Sequence, residues 1–178
     1  MAKINLLRSL PKSKRNISSR EDLKTDEHVL ISRKYGIDYF DGAREYGYGG
    51  YKYDGRWKPV AKDIIDHFGL KKGDKVLDVG CAKGFLVKDL CDLGIDAIGL
   101  DISEYAIEKS MPEIKDRLFN GSADKIPFDD NFFHVAISIN TIHNLDREGC
   151  INALREISRI SNSGSFVQVD SYLNEQQK

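Results

Sequence analysis

The sequence lacks any long apolar run. No stretch approaches the ~20 consecutive apolar residues that a membrane helix requires, so we expect no membrane insertion. The N-terminus also lacks the apolar core of a signal peptide, because residues 4–7 (Ile-Asn-Leu-Leu) are followed at once by Arg8. These two absences favour a protein that remains in the aqueous compartment where it is made.

Cysteine is scarce as well. The three cysteines, Cys81, Cys91 and Cys150, are an odd number, and none stands in CxxC spacing. This pattern argues against a disulfide framework and against a zinc site. We therefore expect free thiols, no bound metal and a reducing, cytoplasmic location.

Neither sign of charge is in excess. Lys and Arg total 27 and Asp and Glu total 28, which gives a formal net charge of −1. The overall charge therefore gives no reason to expect nucleic acid or an anionic membrane as a partner. The local exception is residues 1–25, where basic residues stand among Ser, Pro and Asn. Such a segment buries little apolar surface, which predicts a basic, flexible tail.

The remainder of the chain divides near residue 72. Residues 26–71 combine two helical-looking stretches, 28–40 and 60–68, with an aromatic and glycine-rich segment at 46–57. In residues 72–178, short apolar runs alternate with helical periods. The predicted strands are 75–79, 96–100, 117–120, 133–139 and 165–170, and the predicted helices are 85–93, 104–109 and 147–160. This alternation predicts an α/β fold, a doubly wound and mainly parallel sheet with helices on both faces.

The strongest chemical signal follows the first predicted strand. This strand carries Asp78, and a loop containing Gly80, Ala82 and Gly84 leads from it into a helix. Ligands of doubly wound folds dock at the carboxyl ends of strands, so the loop lies where a nucleotide would bind. Its Gly-x-x-x-Gly spacing differs from the Gly-x-Gly-x-x-Gly that holds a pyrophosphate. An acid at Asp78 also suits the ammonium of a methionine moiety better than a diphosphate.

A second acid closes the second predicted strand, in Gly99-Leu100-Asp101. A carboxylate at this point can accept both hydroxyl protons of an adenosine ribose. The alternative is that Asp101 caps the following helix, although Ser103 already suits that role.

Three successive motifs, 76–85, 99–103 and 121–128, resemble those of class I S-adenosyl-L-methionine (SAM) dependent methyltransferases. They are most similar to the small-molecule branch that includes ubiquinone and menaquinone biosynthesis enzymes. The resemblance covers roughly residues 58–172. It implies a Rossmann-like fold with SAM as the cofactor. It also implies these cofactor-binding residues: Asp78, Gly80, Cys81, Ala82, Gly84, Asp101, Ile102, Ala123, Asp124 and Asn140.

The resemblance assigns a place to each part of the cofactor. Asp78 and the glycine loop would line the methionine end, Asp101 would bind the ribose and Ile102 would lie against the adenine. Ala123 and Asp124 would edge the adenine. Structural alternatives remain, because Asp78 can fix the loop or cap a helix and Asp124 can stabilise a turn. Ala82 stands where many members have Gly, a small change because Ala is small.

The candidate catalytic region is 140–144, after the fourth predicted strand. The Asn/Asp-Pro-Pro-aromatic motif of the enzymes that methylate nucleic-acid bases is absent from it, which counts against such a base as the acceptor. We expect Asn140 and His143 to be catalytic, with His143 as a general base on a hydroxyl or amine. The alternatives are that His143 caps the next helix or lines the pocket. Transfer by alignment alone, without a base, is open as well.

The aromatic and glycine-rich segment is unusual in composition. Residues 45–57 hold four tyrosines, one tryptophan and four glycines. N-terminal segments of similar methyltransferases often fold over the SAM pocket, so this segment predicts a lid that shapes the acceptor site. Tyr51, Arg56 and Trp57 are the expected ligand contacts. The alternative is a surface Ω-loop packed by its own rings.

The end of the chain departs from the family pattern. The typical fold has seven strands, and the last two are lacking before Lys178, which leaves a β-branched fifth strand with an unpaired edge. We expect truncation, with a homodimer formed through this edge. Cover by another chain is the alternative.

These features together predict a methyltransferase that transfers a methyl group from SAM to a small-molecule acceptor by in-line displacement. The acceptor would be a metabolite or a glycan precursor. The alternatives are a non-catalytic SAM-binding or interaction module and an NAD(P)-dependent oxidoreductase. The glycine spacing speaks against the oxidoreductase.

Overall fold

The computed structural model describes residues 4–11 and 25–170. The helices are α1 (Asp26–Ser32), α2 (Ile37–Phe40), α3 (Lys58–Phe68), α4 (Phe85–Asp92), α5 (Glu104–Glu108) and α6 (Arg147–Ile160). The strands are β1 (Lys75–Val79), β2 (Asp96–Asp101), β3 (Leu118–Asn120), β4 (Phe133–Ile139) and β5 (Ser161–Gln168). Two 3₁₀ turns, Pro112–Arg117 and Ile142–Asn144, precede β3 and α6 respectively.

The five strands form one parallel sheet in the order β3-β2-β1-β4-β5. The chain runs outward from β1 through β2 to β3, then returns past β1 to β4 and β5. The direction of travel reverses between β1 and β4, and in open α/β sheets ligands bind at such a switch point. The predicted α/β, Rossmann-like doubly wound class is confirmed.

Successive residues of β1 serve opposite faces of the sheet. Val76 packs into a core that includes Ile64 of α3 and residues of α4. Leu77 packs into a second core on the other face, which includes Ile157 of α6. Because both faces are covered, Val76, Leu77 and Val79 of β1 are all buried and apolar, as a parallel strand requires.

The α6 helix has the bounds that its sequence periodicity predicts. Its N-cap is Asp146, whose side chain accepts a hydrogen bond from the backbone N–H of Gly149 at 2.7 Å. Ala153, Ile157 and Ile160 are buried on the face that meets the sheet. The N-cap and the apolar face together explain why the bounds of this helix could be predicted from the sequence.

β5 differs from its prediction at both ends. It was expected at 165–170 but begins at Ser161, directly after α6, and ends at Gln168. Its first residues are polar, yet Ser161 pairs with Phe133 and Gly164 with Val135 of β4. Pairing with a buried neighbour therefore outweighs weak intrinsic strand preference. Among the described residues β5 is the edge of the sheet on this side, and the homodimer through it stays a prediction.

The N-terminal segment contains two helices where one stretch, 28–40, was expected. Tyr35, with φ of 48°, and Gly36 interrupt the helical geometry between α1 and α2. We name residues 35–57 the aromatic cap. The Ser103 hydroxyl donates to the Tyr35 carbonyl at 2.5 Å, and the ring of Tyr51 stacks on Phe85 at 4.7 Å. The cap therefore lies against the start of α4 and the loop after β2.

The predicted tail, 1–25, is described only at residues 4–11 and 25. Leu6 is buried in the core beside α3, and Arg8 and Ser9 bind the carboxylate of Asp63 at 2.8 Å each. The remaining residues of the predicted tail lie outside the described part, and its boundary at residue 25 stays a prediction.

Two further observations concern the chain as described. Across 4–11 and 25–170, no helix has the length and apolar character needed to cross a membrane. Cys81, Cys91 and Cys150 are all free thiols, and Cys81 is buried.

Candidate cofactor-binding site

A cavity lies at the carboxyl ends of β1, β2, β3 and β4. The aromatic cap forms one wall of the cavity, and the loops that follow the four strands form the other walls. The lining residues are Tyr35, Tyr39, Phe40, Tyr48, Gly80, Ala82, Leu100, Asp101, Ile102, Gly121, Ser122, Ala123, Ile139, Asn140, Thr141, Asn144 and Leu145. The structure thus gathers residues that lie far apart in the sequence around one space.

The glycine loop approaches its neighbours closely at Gly80. The backbone N–H of Gly80 donates to the carbonyl of Leu100 at 2.7 Å, and φ is +84°. A Cβ added here would lie 2.0 Å from the hydroxyl oxygen of Thr141. Only glycine fits both the left-handed backbone and the contact with Thr141.

Asp101 is held by the loop that it faces. One carboxylate oxygen accepts from the backbone N–H of Ala82 at 2.7 Å, and the other accepts from that of Ser103 at 2.8 Å. Burial raises the pKa of Asp101, and these two hydrogen bonds oppose the rise. Each carboxylate oxygen can accept a further hydrogen bond, so two vicinal hydroxyl groups could bind there.

Asp78 lies deeper, within β1. It is 5% exposed, is paired in register with Gly99 of β2 and Ile137 of β4, and does not line the cavity. Burial, with the charge of Asp101 as a second cause, raises the pKa of Asp78 to about 7. A buried carboxyl with so high a pKa gains from a nearby cation. This electrostatic situation is consistent with a cationic ligand group close by.

Of the three residues predicted to contact the adenine, two line the cavity and one does not. Ile102 and Ala123 line the cavity, and Ile102 is 57% exposed, so its apolar side chain is free to meet a flat ring. Asp124 is half-buried beside them but outside the lining. Gly121 and Ser122 line the cavity instead.

Two other residues of the predicted set serve packing. The sulfur of Cys81 would lie 2.5 Å from a Cβ at Gly99, so this thiol fills the space left by that glycine. Burial raises the pKa of the Cys81 thiol well above its ordinary value, which keeps it protonated. Gly84, with φ of +73°, is the N-cap of α4, and a Cβ on it would meet Ile114 and Leu118. Neither Cys81 nor Gly84 lines the cavity.

The two predicted catalytic residues are placed differently. Asn140 lines the cavity directly after β4 and has a left-handed backbone, with φ of 54°. His143 is exposed in the following 3₁₀ turn and is outside the lining, while its neighbour Asn144 lines the cavity. Tyr35 and Ala82 also have a left-handed backbone. Residues other than glycine in this conformation are often found at functional sites.

The predicted contacts of the lid do not line the cavity. Tyr51 stacks on Phe85, Trp57 packs against the core beside α3, and Arg56 pairs with Asp54 at 2.5 Å. The rings that do line it were missed as site residues: Tyr35, Tyr39, Phe40 and Tyr48. Their signal in the sequence was the clustering of aromatics between residues 35 and 48.

These residues fit SAM. Asp101 offers two oxygens to ribose hydroxyls, Ile102 and Ala123 offer an apolar face to an adenine, and Gly80 brings the backbone close. Asp78, a buried carboxyl with a raised pKa, lies just before the glycine loop. This donor set suits a nucleoside that carries a cationic tail.

Comparison with known proteins places the chain among methyltransferases. The family model described as a methyltransferase domain matches residues 77–169, more than half of the 178 residues. Cycloartenol-C-24-methyltransferase 1 of Oryza sativa subsp. japonica is 29% identical over 169 residues, which are 84% of this chain and 48% of that protein. Demethylmenaquinone methyltransferase of Staphylococcus aureus is 32% identical over 117 residues, which are 60% of this chain and 46% of that protein.

A solved structure has a similar fold. The PH0226 protein from Pyrococcus horikoshii OT3 superposes with a TM-score of 0.56 at 27% identity, over 80% of this chain and 64% of that one. The chain spans about half the length of the curated relatives it matches. With the extent of the family match, the sheet order and the strand-end cavity, the chain belongs to the class I SAM-dependent methyltransferase family.

Proposed function

We propose that this chain binds SAM in the strand-end cavity and transfers its methyl group to a small apolar acceptor. The observation that carries the proposal is the position of Asp101. Its two carboxylate oxygens are fixed by the N–H groups of Ala82 and Ser103, and Asp101 lines the cavity. A carboxylate fixed in this way needs no reorganisation to accept two ribose hydroxyls.

The cofactor supplies a methyl group activated by the positive charge on sulfur. The residues of the chain would hold it and exclude water. Asp101 would orient the ribose, Ile102 and Ala123 the adenine, and the buried carboxyl of Asp78 would favour the cationic methionine end. The aromatic cap would keep water out of the cavity, so that transfer proceeds by in-line alignment of donor and acceptor.

The walls of the cavity support an apolar acceptor. Tyr39, Phe40 and Tyr48 form a cluster of edge and stacked contacts, with ring centroids 5.1–5.7 Å apart. Such rings bind apolar and flat groups well. The two relatives are named for cycloartenol and for demethylmenaquinone, both of which are largely apolar molecules. We therefore favour an apolar metabolite over a glycan precursor.

Polar groups at the edge of the cavity would orient the acceptor. Asn140, Thr141 and Asn144 line it after β4. Asn140 is our first candidate for contact with the reacting atom. His143 remains a candidate base, and it would act from outside the lining seen here, through water or after movement of its 3₁₀ turn.

The binding of S-adenosyl-L-homocysteine (SAH) tests this function. Calorimetric titration of the purified chain with SAH should give saturable binding, with NAD silent. Asp101→Ala should weaken SAH binding by about 100-fold, because two charge-assisted hydrogen bonds are lost. Exposed Asp92→Ala is the matched control and should bind as the unaltered chain does.

The outcomes separate the alternatives. Binding of NAD instead of SAH would favour an oxidoreductase. Binding of SAH without methyl transfer to a sterol or a quinol would favour a non-catalytic SAM-binding module. No binding of either nucleotide by the folded chain would refute the proposal.

A further inference from the structure

An ion pair between a buried lysine and a carboxylate closer to the surface joins the aromatic cap to the glycine loop. The ammonium of Lys83 lies 2.8 Å and 2.6 Å from the two carboxylate oxygens of Asp41, and it also donates to the carbonyl of Tyr51 at 3.0 Å. Lys83 is only 6% exposed. Lysine is rarely buried to this degree unless its charge is paired, and here both of its hydrogen-bond partners belong to the aromatic cap.

Asp41 gathers contacts from three parts of the chain. Besides Lys83, it accepts from the hydroxyl of Tyr105 on α5 at 2.8 Å and from the backbone N–H of Tyr51 at 3.2 Å. Burial raises the pKa of Asp41, but the hydrogen bonds from Lys83 and Tyr105 outweigh this effect. The pKa of Asp41 therefore lies below its ordinary value. Asp41 is thus ionised at neutral pH.

The loop end of this pair is next to the proposed ribose site. Lys83 follows Ala82, whose backbone N–H donates to Asp101 at 2.7 Å. Ala82 has a left-handed backbone, with φ of 51°, which is unfavourable for a residue other than glycine. Anchoring of the Lys83 side chain therefore helps to hold a strained turn that positions Asp101.

The cap end is next to the rings that wall the cavity. Asp41 directly follows Phe40, and Tyr48 packs against both Phe40 and Tyr51. Movement of Asp41 away from Lys83 would carry these rings away from the strand ends. The Asp41–Lys83 pair thus links the aromatic rings of the cavity wall to the glycine loop.

We propose that the Asp41–Lys83 ion pair is a latch that holds the aromatic cap over the cofactor, so that both are positioning residues and not ligands. The inference rests on the proposed function, because it assigns the pair a role in cofactor retention. On this proposal a ligand enters and leaves past the aromatic cap. Opening the latch would then set the rate of nucleoside release.

The dissociation rate of SAH tests the latch. Release of radiolabelled SAH into excess unlabelled SAH measures this rate directly, with calorimetric competition for the equilibrium constant. Lys83→Met and Asp41→Asn should each release SAH about tenfold faster, with little change in the association rate. The double variant should match the single ones, because the same contact is lost. Lys83→Arg should restore slow release.

Arg117→Met is the matched control, since Arg117 pairs with Asp96 at 2.7 Å, away from the aromatic cap, and lies outside the cavity lining. It should release SAH at the unaltered rate. Unchanged release in Lys83→Met would overturn the latch. Additive effects in the double variant would do the same, because they would assign the two residues independent roles.

Hydrogen exchange of the ligand-free chain gives a second readout. In Lys83→Met, amides of 35–56 should exchange about tenfold faster, while those of β1 and β4 stay protected. Unchanged exchange in the cap, or a uniform rise along the chain, would contradict the proposal. If the unaltered chain binds no SAH, the proposed function fails, and the exchange result still judges the latch by itself.

Discussion

At the scale of single residues, the site depends on glycines that have no Cβ as much as on the side chains that line the cavity. Gly80 has no Cβ where Thr141 packs, and Gly99 has none where the sulfur of Cys81 lies. Ala82 keeps its Cβ but adopts a left-handed backbone, with φ of 51°. The departure from glycine at this position is therefore strained, although the side chain is small.

We expect Gly80→Ala to destabilise the chain by about 2 kcal/mol or more. The new methyl group would both clash with Thr141 and force alanine into a left-handed backbone. Urea denaturation followed by circular dichroism measures the loss. SAH binding should fall with it, because Gly80 lines the cavity.

The double variant Gly80→Ala, Thr141→Gly separates the two causes. It removes the clash and leaves the backbone strain, so it should regain part of the lost stability. If the double variant is no more stable than Gly80→Ala alone, contact with Thr141 is not a cause of the destabilisation.

At the scale of elements, α6 depends on its N-cap and its apolar face. Asp146 accepts from the N–H of Gly149 at 2.7 Å. We expect Asp146→Ala to lower the free energy of unfolding by about 1 kcal/mol, because one N–H at the helix start loses its acceptor. The change should appear as a lower urea midpoint with the same m-value.

Asp146→Asn is the control, because its amide oxygen can accept the same hydrogen bond. It should retain most of the stability, losing only the favourable charge at the helix N-terminus. Equal losses in the alanine and asparagine variants would indicate that charge, and not capping, is what Asp146 contributes.

At the scale of the whole molecule, stability should depend on pH through Asp78. The pKa of this carboxyl is raised to about 7 in the folded chain from 3.8, mainly by burial. Between these two values the folded state binds more protons than the unfolded state, so the contribution of Asp78 to stability falls as pH rises from about 4 to about 7. Above that range the penalty is constant.

We expect Asp78→Asn to be more stable than the unaltered chain at pH 7.5, by on the order of 2 kcal/mol or roughly 5 °C in Tm. The difference should shrink towards zero near pH 4, where both side chains are neutral. Thermal melts across pH 4–8 measure it. Carboxyls with lowered pKa, such as Asp41 and Glu156, act in the opposite direction in both proteins and cancel in the comparison. A difference that does not vary with pH would show that Asp78 is not the titrating group.

The sequence by itself determined the fold class and most of the elements. β1, β4 and α6 have their predicted bounds, because a buried parallel strand and an amphipathic helix each have a local pattern that packing reinforces. The order of the glycine loop, Asp101 and the 121–128 motif likewise placed the cofactor end of the sheet. Gly80, Ala82, Asp101, Ile102, Ala123 and Asn140 of the predicted set line the cavity.

Only the tertiary structure decided which side chains close over that cavity. Tyr35 and Tyr39 line it, while Tyr51 and Trp57, chosen for the composition of their segment, pack elsewhere. The Asp41–Lys83 pair joins residues 42 positions apart, and no local pattern marks it. The physical reason is that periodicity and spacing report on neighbours within one element. Contacts between a cap and a loop depend on how distant segments pack.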